Sequence, residues 1–295
     1  MAILHQTIDN ILAHYAQENT KLFQADVFYW VGGIAPQYLT QFRSEIENLK
    51  QRGGKSDNLV FFIHTGGGVA ETVERMVQIM RQHYNEIWFV VPDLAMSAGT
   101  ILCMSGDKIY MDYSSALGPI DPQVPNNEGQ LVPALGYLAE VKKLIDKSAN
   151  NSLTDAEFAI LQNQDLATLH RYEQARKLSI DLLEEWLVKY KFKDWLTHSS
   201  TDLPVTDDEK KARATEIAEQ LSNHEQWNSH GRAIGINRVR DLLRLKVEDY
   251  TGNQILTNAI RAYSDLMLEC CQSRNLNFML HCCSYVPTQN NQNIS

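Results

Sequence analysis

Cysteine is scarce in this chain and poorly spaced for disulfides. The 295 residues hold five: Cys103, Cys270, Cys271, Cys282 and Cys283. An odd count in two adjacent pairs is not the framework of a disulfide-stapled secreted domain. Cys270, Cys271, His281, Cys282 and Cys283 carry metal-binding atoms, but adjacent cysteines seldom chelate one ion, so buried, reduced thiols and no metal are expected there. Excess positive charge is also lacking. The formal net charge is −9, which argues against a nucleic-acid or anionic-membrane partner, since either needs a basic face. No run reaches the roughly 18 apolar residues of a membrane helix. The opening MAILHQTIDNILAHYAQEN lacks the basic start, continuous apolar core and cleavage site of a secretory signal. A cytoplasmic protein without a transmembrane segment is the expectation. The spacing G-x-G-x-x-G and the P-loop Lys-Ser/Thr are missing too, which excludes the common nucleotide sites.

What is present is an alternation of strand and helix signals. Ile3, Ile8, Ile11, Leu12 and Tyr15 predict an amphipathic helix over about residues 1–24. DVFYWV (26–31) predicts a first strand, and Pro36 opens a helix that should stop at Gly53-Gly54. LVFFIH (59–64) and IWFVV (87–91) are apolar without alternation, as in strands buried on both faces. Between them Val73, Met76, Val77 and Met80 fall at helix spacing. A short helix at 97–104 and a strand at 108–111 follow. Such alternation predicts an α/β fold: a parallel sheet with right-handed crossover helices over about residues 25–134. From 135 to 285 a largely helical part is expected. Thr154-Asp155-Ala156-Glu157 and Thr206-Asp207-Asp208-Glu209 read as capping boxes, and a last helix is expected at 248–273. The polar end, 286–295, reads as a disordered tail.

Two features fall at the carboxyl ends of neighbouring strands, where open α/β sheets place their sites. One is Gly66-Gly67-Gly68 after Ile63-His64-Thr65. The other is Ser97, opening a helix of small residues. The N–H groups of Gly67, Gly68 and Ala98 could converge beside the Ser97 hydroxyl, the layout of an oxyanion hole next to a nucleophile. His64 reads as a strand-end packing residue.

Several segments in order resemble the serine dehydrogenase proteinase family, with its Clp-protease/crotonase-like fold. They are Ile63-His64-Thr65-Gly66-Gly67-Gly68, Ala95-Met96-Ser97-Ala98-Gly99-Thr100, Asp107 to Asp112, Leu117-Gly118-Pro119-Ile120-Asp121-Pro122-Gln123 and Ser229-His230-Gly231-Arg232. Gly66 departs from the proline usual in the family and should loosen its loop. The resemblance implies an intracellular serine peptidase acting on peptide or protein substrates through Ser97, with no metal or organic cofactor, assembled as a homo-oligomer. No ATPase signature occurs, so any unfolding of substrates would fall to another protein.

Two bases are open. His230 with Asp121 gives the order Ser, Asp, His proposed for the family. Alternatively, the related signal peptide peptidase A uses a Ser–Lys dyad, and Lys142 stands at the corresponding distance. Lys142 shares a helix face with Leu135, Leu138, Val141 and Ile145, where desolvation would ready it as a base, whereas Lys143 points away. Two other functions stay in view: a crotonase-type acyl-CoA enzyme, which uses carboxylates and no nucleophile, and an inactive scaffold that binds partner proteins.

Overall fold

The computed structural model describes residues 2–52, 56–125, 131–198, 201–227 and 229–286. The expected helix stop at Gly53-Gly54, the tail from 287 to 295 and the side chain of Leu135 lie outside the described residues. In chain order the elements are α1 (Ala2–Phe23), β1 (Asp26–Gly32), α2 (Leu39–Arg52), β2 (Asn58–His64), α3 (Ala70–His83) and β3 (Glu86–Val90). Then come β4 (Leu94–Ala95), α4 (Ala98–Met104), β5 (Lys108–Met111), β6 (Ala116–Leu117), β7 (Gln123–Pro125), β8 (Leu131–Pro133) and α5 (Ala134–Ala149). The rest are α6 (Asp155–Gln162), α7 (Leu166–Trp186), α8 (Asp207–Ser222), α9 (His224–Trp227), β9 (Ile234–Gly235), α10 (Ile236–Asp241), β10 (Glu248–Asp249), α11 (Gln254–Ser273) and β11 (Phe278–Cys283).

The chain forms two compact units, one of residues 1–117 with 233–295, the other of residues 118–232. This differs from the boundary expected between 134 and 135. The physical reason is a pairing: β9 lies antiparallel to β6, Ala116 opposite Gly235, and draws the chain back into the first unit.

The first unit is built on a six-stranded sheet of order β10-β5-β3-β2-β1-β11. All its pairings are parallel except β1 with β11, which runs antiparallel from Val27↔Cys283 to Gly32↔Phe278. The continuous apolar runs of β1 and β2 follow from burial on both faces. Val27, Tyr29, Val60 and Phe62 pack with Leu12 and Ala16 of α1 and with Ile260, Tyr263 and Met267 of α11. On the other face Phe28 and Phe61 meet Phe42 of α2. Leu12 carries the buried face of α1, while Ile3 and Ile11, expected on that face, are exposed.

The second half is largely helical, as expected, but it also holds three strands that the sequence did not signal: β9, β10 and β11. Two-residue strands are too short for any periodicity, and FMLHCC shows no alternation because every residue of this edge strand is partly buried. Glu248–Asp249 pairs with β5 rather than opening the last helix. That helix starts at Gln254, where the Asn253 side chain accepts from the Leu256 N–H at 3.1 Å. Cys282 and Cys283 are thus strand residues and Cys270 and Cys271 are buried on α11. Burial pushes these thiols up, Cys282 to about 12, which makes them poor nucleophiles.

The turn after β5 is fastened by a buried carboxylate. Asp112 Oδ1 accepts from the N–H and hydroxyl of Ser114, and Oδ2 accepts from Arg261 Nη2 at 2.6 Å. Burial alone would raise this carboxyl, but the bonds from Ser114 and Arg261 outweigh it and hold it below the ordinary value. A carboxylate lowered by folding stabilises above its unfolded pKa and loses that contribution as the pH falls through its folded one. Urea melts at pH 7 and pH 3 are therefore expected to show a steeper acid loss for the wild type than for Asp112→Asn. Equal losses would remove Asp112 from the acid limb.

The second unit is mainly helical. Both expected capping boxes form, with Thr154 and Glu157 and then Thr206 and Glu209 bonding reciprocally. Tyr172 and Ala134 share a small core with Leu138 and Leu169. Ile120 N donates to Leu221 O of α8 at 3.0 Å, which anchors the segment that carries Asp121.

Candidate active site

The nucleophile candidate sits on a strand-to-helix turn. Thr65, the residue after β2, bonds alongside β4: its N–H donates to Leu94 O at 3.1 Å, and Met96 N donates to Thr65 O at 3.0 Å. The chain then reverses into α4 through Ser97, whose φ of 50° and ψ of −115° lie outside the regions open to ordinary residues. Such a conformation costs about 1–3 kcal/mol, and the surroundings must impose it. Here they do. Thr100 Oγ1 donates to Ala95 O at 2.8 Å across the turn, and all of α4 is buried. The result is a sharp strand-to-helix turn of the shape seen at nucleophile elbows, with the Ser97 side chain half-buried on it.

Opposite Ser97 runs the glycine loop. Gly67 and Gly68 have φ of +116° and +155°. A Cβ on Gly67 would lie 2.9 Å from Ser97 Cβ and 3.5 Å from Ser97 Oγ, so the loop backbone passes directly against the serine. A Cβ on Gly68 would lie 2.0 Å from Ile34 O. Ile34 holds the loop from its far side, donating to Gly67 O at 2.9 Å and accepting from Val69 N at 2.9 Å. Gly66 is exposed, and a Cβ there would meet nothing within 4 Å.

The expected set of oxyanion donors needs one correction. Gly67 N–H donates to Thr65 Oγ1 at 3.0 Å, so it is already engaged. The N–H groups of Gly68 and Ala98 have no protein partner among the described residues. Gly68 follows the turn of the loop, and Ala98 is the first residue of α4, whose N–H has no intrahelical acceptor. Those two are the available donors, and the part left to Gly67 is close approach.

His64 ends β2 partly buried, with Nδ1 3.2 Å from Asp93 Oδ2. Burial lowers its pKa, and Asp93 opposes the shift.

In the second unit the structure joins two residues distant in sequence. His230 Nδ1 lies 2.9 Å from Asp121 Oδ1, with side-chain exposures of 16% and 1%. A carboxylate only accepts, so a neutral imidazole making this bond carries its proton on Nδ1 and its lone pair on Nε2. Asp121 Oδ2 is buried without a hydrogen-bond partner among the described residues. Lys142 fares differently. It does share a side of α5 with Leu138, Val141 and Ile145, but that side lines an open groove of about 1050 Å³. Lys142 is exposed there, so the expected desolvation is absent; only Val141 is buried. Lys143 pairs with Glu140 at 2.6 Å.

Residues 49–259 match the family described as ClpP-like SDH-type serine proteinase. The chain belongs to that family. The matched stretch contains Thr65, Gly67, Gly68, Ser97, Ala98, Asp121 and His230. An uncharacterized protein of Methanocaldococcus jannaschii is 28% identical over 212 residues, 69% of this chain and 66% of that protein. A second from the same organism is 36% identical over 62 residues, 21% of each chain. The chain thus spans just under two thirds of the length of the first relative and about a fifth of the second. Among solved structures, similarity extends to a membrane-bound stomatin-specific protease. Its lysine-to-alanine variant, in complex with a substrate peptide, has a TM-score of 0.45 at 14% identity over 76% of this chain and 74% of that one. Its serine-to-alanine variant gives 0.45 at 13% over 78% and 80%. The catalytic domain of the ClpP protease from Plasmodium falciparum gives 0.25 at 16% over 29% and 50%.

One feature of the site was missed from the sequence, the Thr65 hydroxyl. A signal for it existed: a threonine two residues before a glycine at a strand end commonly bonds that residue's backbone.

Proposed function

We propose that the protein is a serine peptidase that hydrolyses peptide bonds through an acyl-enzyme on Ser97. The observation that carries this reading is the strained backbone of Ser97, held against Gly67 beside two unpartnered N–H groups. Ser97 Oγ attacks the scissile carbonyl carbon, and its proton passes to His230 Nε2. Gly68 and Ala98 N–H bind the oxyanion. The C–N bond then breaks, and the proton on His230 goes to the departing amine. A water, deprotonated by the same nitrogen, attacks the ester carbonyl, and that proton goes to Ser97 Oγ as the bond to it breaks and the acid leaves. Asp121 keeps the imidazole oriented and stabilises its charged form. Removing one oxyanion donor in such sites costs on the order of 3 kcal/mol.

His230 is preferred to Lys142 because it has an orienting carboxylate, whereas exposure leaves Lys142 without the desolvation that activates a lysine base. The test is intact-mass spectrometry after a fluorophosphonate probe. Wild-type labelling lost in Ser97→Ala supports the peptidase, and no labelling of the wild type overturns it in favour of a scaffold or an acyl-CoA enzyme. His230→Ala is expected to abolish labelling and Lys142→Ala to retain it; the reverse pattern makes Lys142 the base.

A homo-oligomer in the cytoplasm completes the proposal. In the second unit Ile145, Phe158, Ile160 and Leu166 are 52–79% exposed, apolar side chains that a second copy could cover. Sedimentation equilibrium showing only monomer at micromolar concentration would end that part. The free thiols of Cys103, Cys270, Cys271, Cys282 and Cys283 suit a reducing compartment, which cell fractionation checks.

A further inference from the structure

Thr65 is buried, with 1% of its surface exposed, and takes no part in the chemistry proposed above. Yet its atoms touch every wall of the nucleophile site in the first unit. Its backbone bonds to Leu94 and Met96, the strand that leads into Ser97. Its γ-methyl fills the notch at Gly99, where a Cβ would lie 2.4 Å from Thr65 Cγ2. Its hydroxyl bonds Gly67 twice, accepting from the N–H at 3.0 Å and donating to the carbonyl oxygen at 3.3 Å.

The second of those bonds has a geometric consequence. The carbonyl of Gly67 and the N–H of Gly68 belong to one planar peptide unit and point in opposite directions. Ile34 N–H and the Thr65 hydroxyl both pull that carbonyl to one side. The Gly68 N–H is therefore turned to the other side, where Gly68 is exposed. A glycine peptide has the softest backbone in the chain and would rotate freely without such anchors. The first bond holds the preceding peptide as well, so the hydroxyl engages two successive peptide planes and shares the second with Ile34. The methyl fixes the same side chain against α4, which starts with the other donor, Ala98.

We propose that Thr65 is the positioning residue of the oxyanion site: its hydroxyl sets the Gly67–Gly68 peptide so that the Gly68 N–H is presented, in register with Ala98, to the developing oxyanion. The inference rests on the reading of Ser97 as a peptidase nucleophile. It predicts an effect on the transition state and little on substrate binding, because the oxyanion exists only in the former.

The two halves of the side chain can be separated. Thr65→Val keeps the shape and the methyl but loses the hydroxyl; Thr65→Ser keeps the hydroxyl and loses the methyl. With a peptide substrate, Thr65→Val is expected to lower kcat by about 10²-fold, the cost of misplacing a site group by around an ångström, and to leave KM within about twofold. The rate of fluorophosphonate labelling should fall in parallel. Thr65→Ser is expected to recover most of kcat. A merely structural threonine predicts the opposite order, since the Gly99 notch needs the methyl; serine falling as far as valine, or valine matching wild type, overturns the proposal. Amide exchange at Gly67 in the wild type gives a second readout that needs no variant: protection is expected, and exchange at the rate of an open loop overturns the proposal. Should Ser97→Ala cleave as well as wild type, the peptidase reading itself has failed. Should Ser97→Ala be inactive while Thr65→Val is unaffected, only this inference has failed.

Discussion

Ser97→Gly will make the protein more stable by about 1 kcal/mol while abolishing hydrolysis. Two terms set the size. At φ 50° and ψ −115° Ser97 occupies the mirror image of the extended region, which glycine enters at no steric cost. Relief of about 1–3 kcal/mol of strain is offset by the roughly 0.5–1 kcal/mol of extra chain entropy that glycine loses on folding. Ser97→Ala shows which term is at work. It keeps the Cβ and hence the strain, so its urea midpoint should stay near that of wild type while Ser97→Gly melts at higher denaturant. Both variants should lose about 10⁶-fold in kcat, the cost of deleting such a nucleophile. Were Ser97→Gly less stable than Ser97→Ala, the turn would not be strained, and the observation that carries the peptidase reading would be gone.

Asp121 and His230 offer the second large effect, in which stability and activity separate. His230→Ala strands a carboxylate that is 1% exposed and has a second oxygen already unpartnered among the described residues. Losing the hydrogen bond to such a carboxylate costs about 1.5–3 kcal/mol. Asp121→Asn is nearly isosteric and should cost little stability. Its amide can donate where the carboxylate only accepted, which favours the wrong imidazole tautomer, and kcat should fall about 10⁴-fold. The double variant Asp121→Asn/His230→Ala should regain much of the stability lost in His230→Ala, because no charge is left buried. Denaturant melts of the three proteins measure this. A double variant as unstable as the single one would mean that the loss comes from the missing imidazole's packing and not from a stranded carboxylate.

How legible all this was in the sequence varied with the range of the interaction. DVFYWV, LVFFIH and IWFVV are local runs, long enough to fix strands and, through the intervening helices, a parallel sheet. The capping boxes at Thr154 and Thr206 are contained in four residues each. The elements that escaped depend on distant partners. β11 is a strand because β1 lies beside it, and β9 and β10 are too short to carry a pattern. The same holds at the candidate site. The glycines and Ser97 stood out because their chemistry is written in adjacent residues. The engagement of Gly67 N–H by Thr65, and the exposure of Lys142 on the side of α5 where the periodicity placed it, are facts of packing. The periodicity located that side correctly; what covers a helix face is a property of other segments.

The edge strand β11 also bears on how such a chain is made. β1 is synthesised well before β11, the strand that closes its outer side and ends at Cys283. Until then Val27 to Gly32, apolar and without charge beyond Asp26, presents an open row of N–H and C=O groups, a template for pairing with other nascent chains. Residues 118–232 are contiguous and can fold as they emerge. The sheet of the first unit can be finished only once β11 has been made, so a chain that stalls before it would leave β1 as an open, aggregation-prone edge.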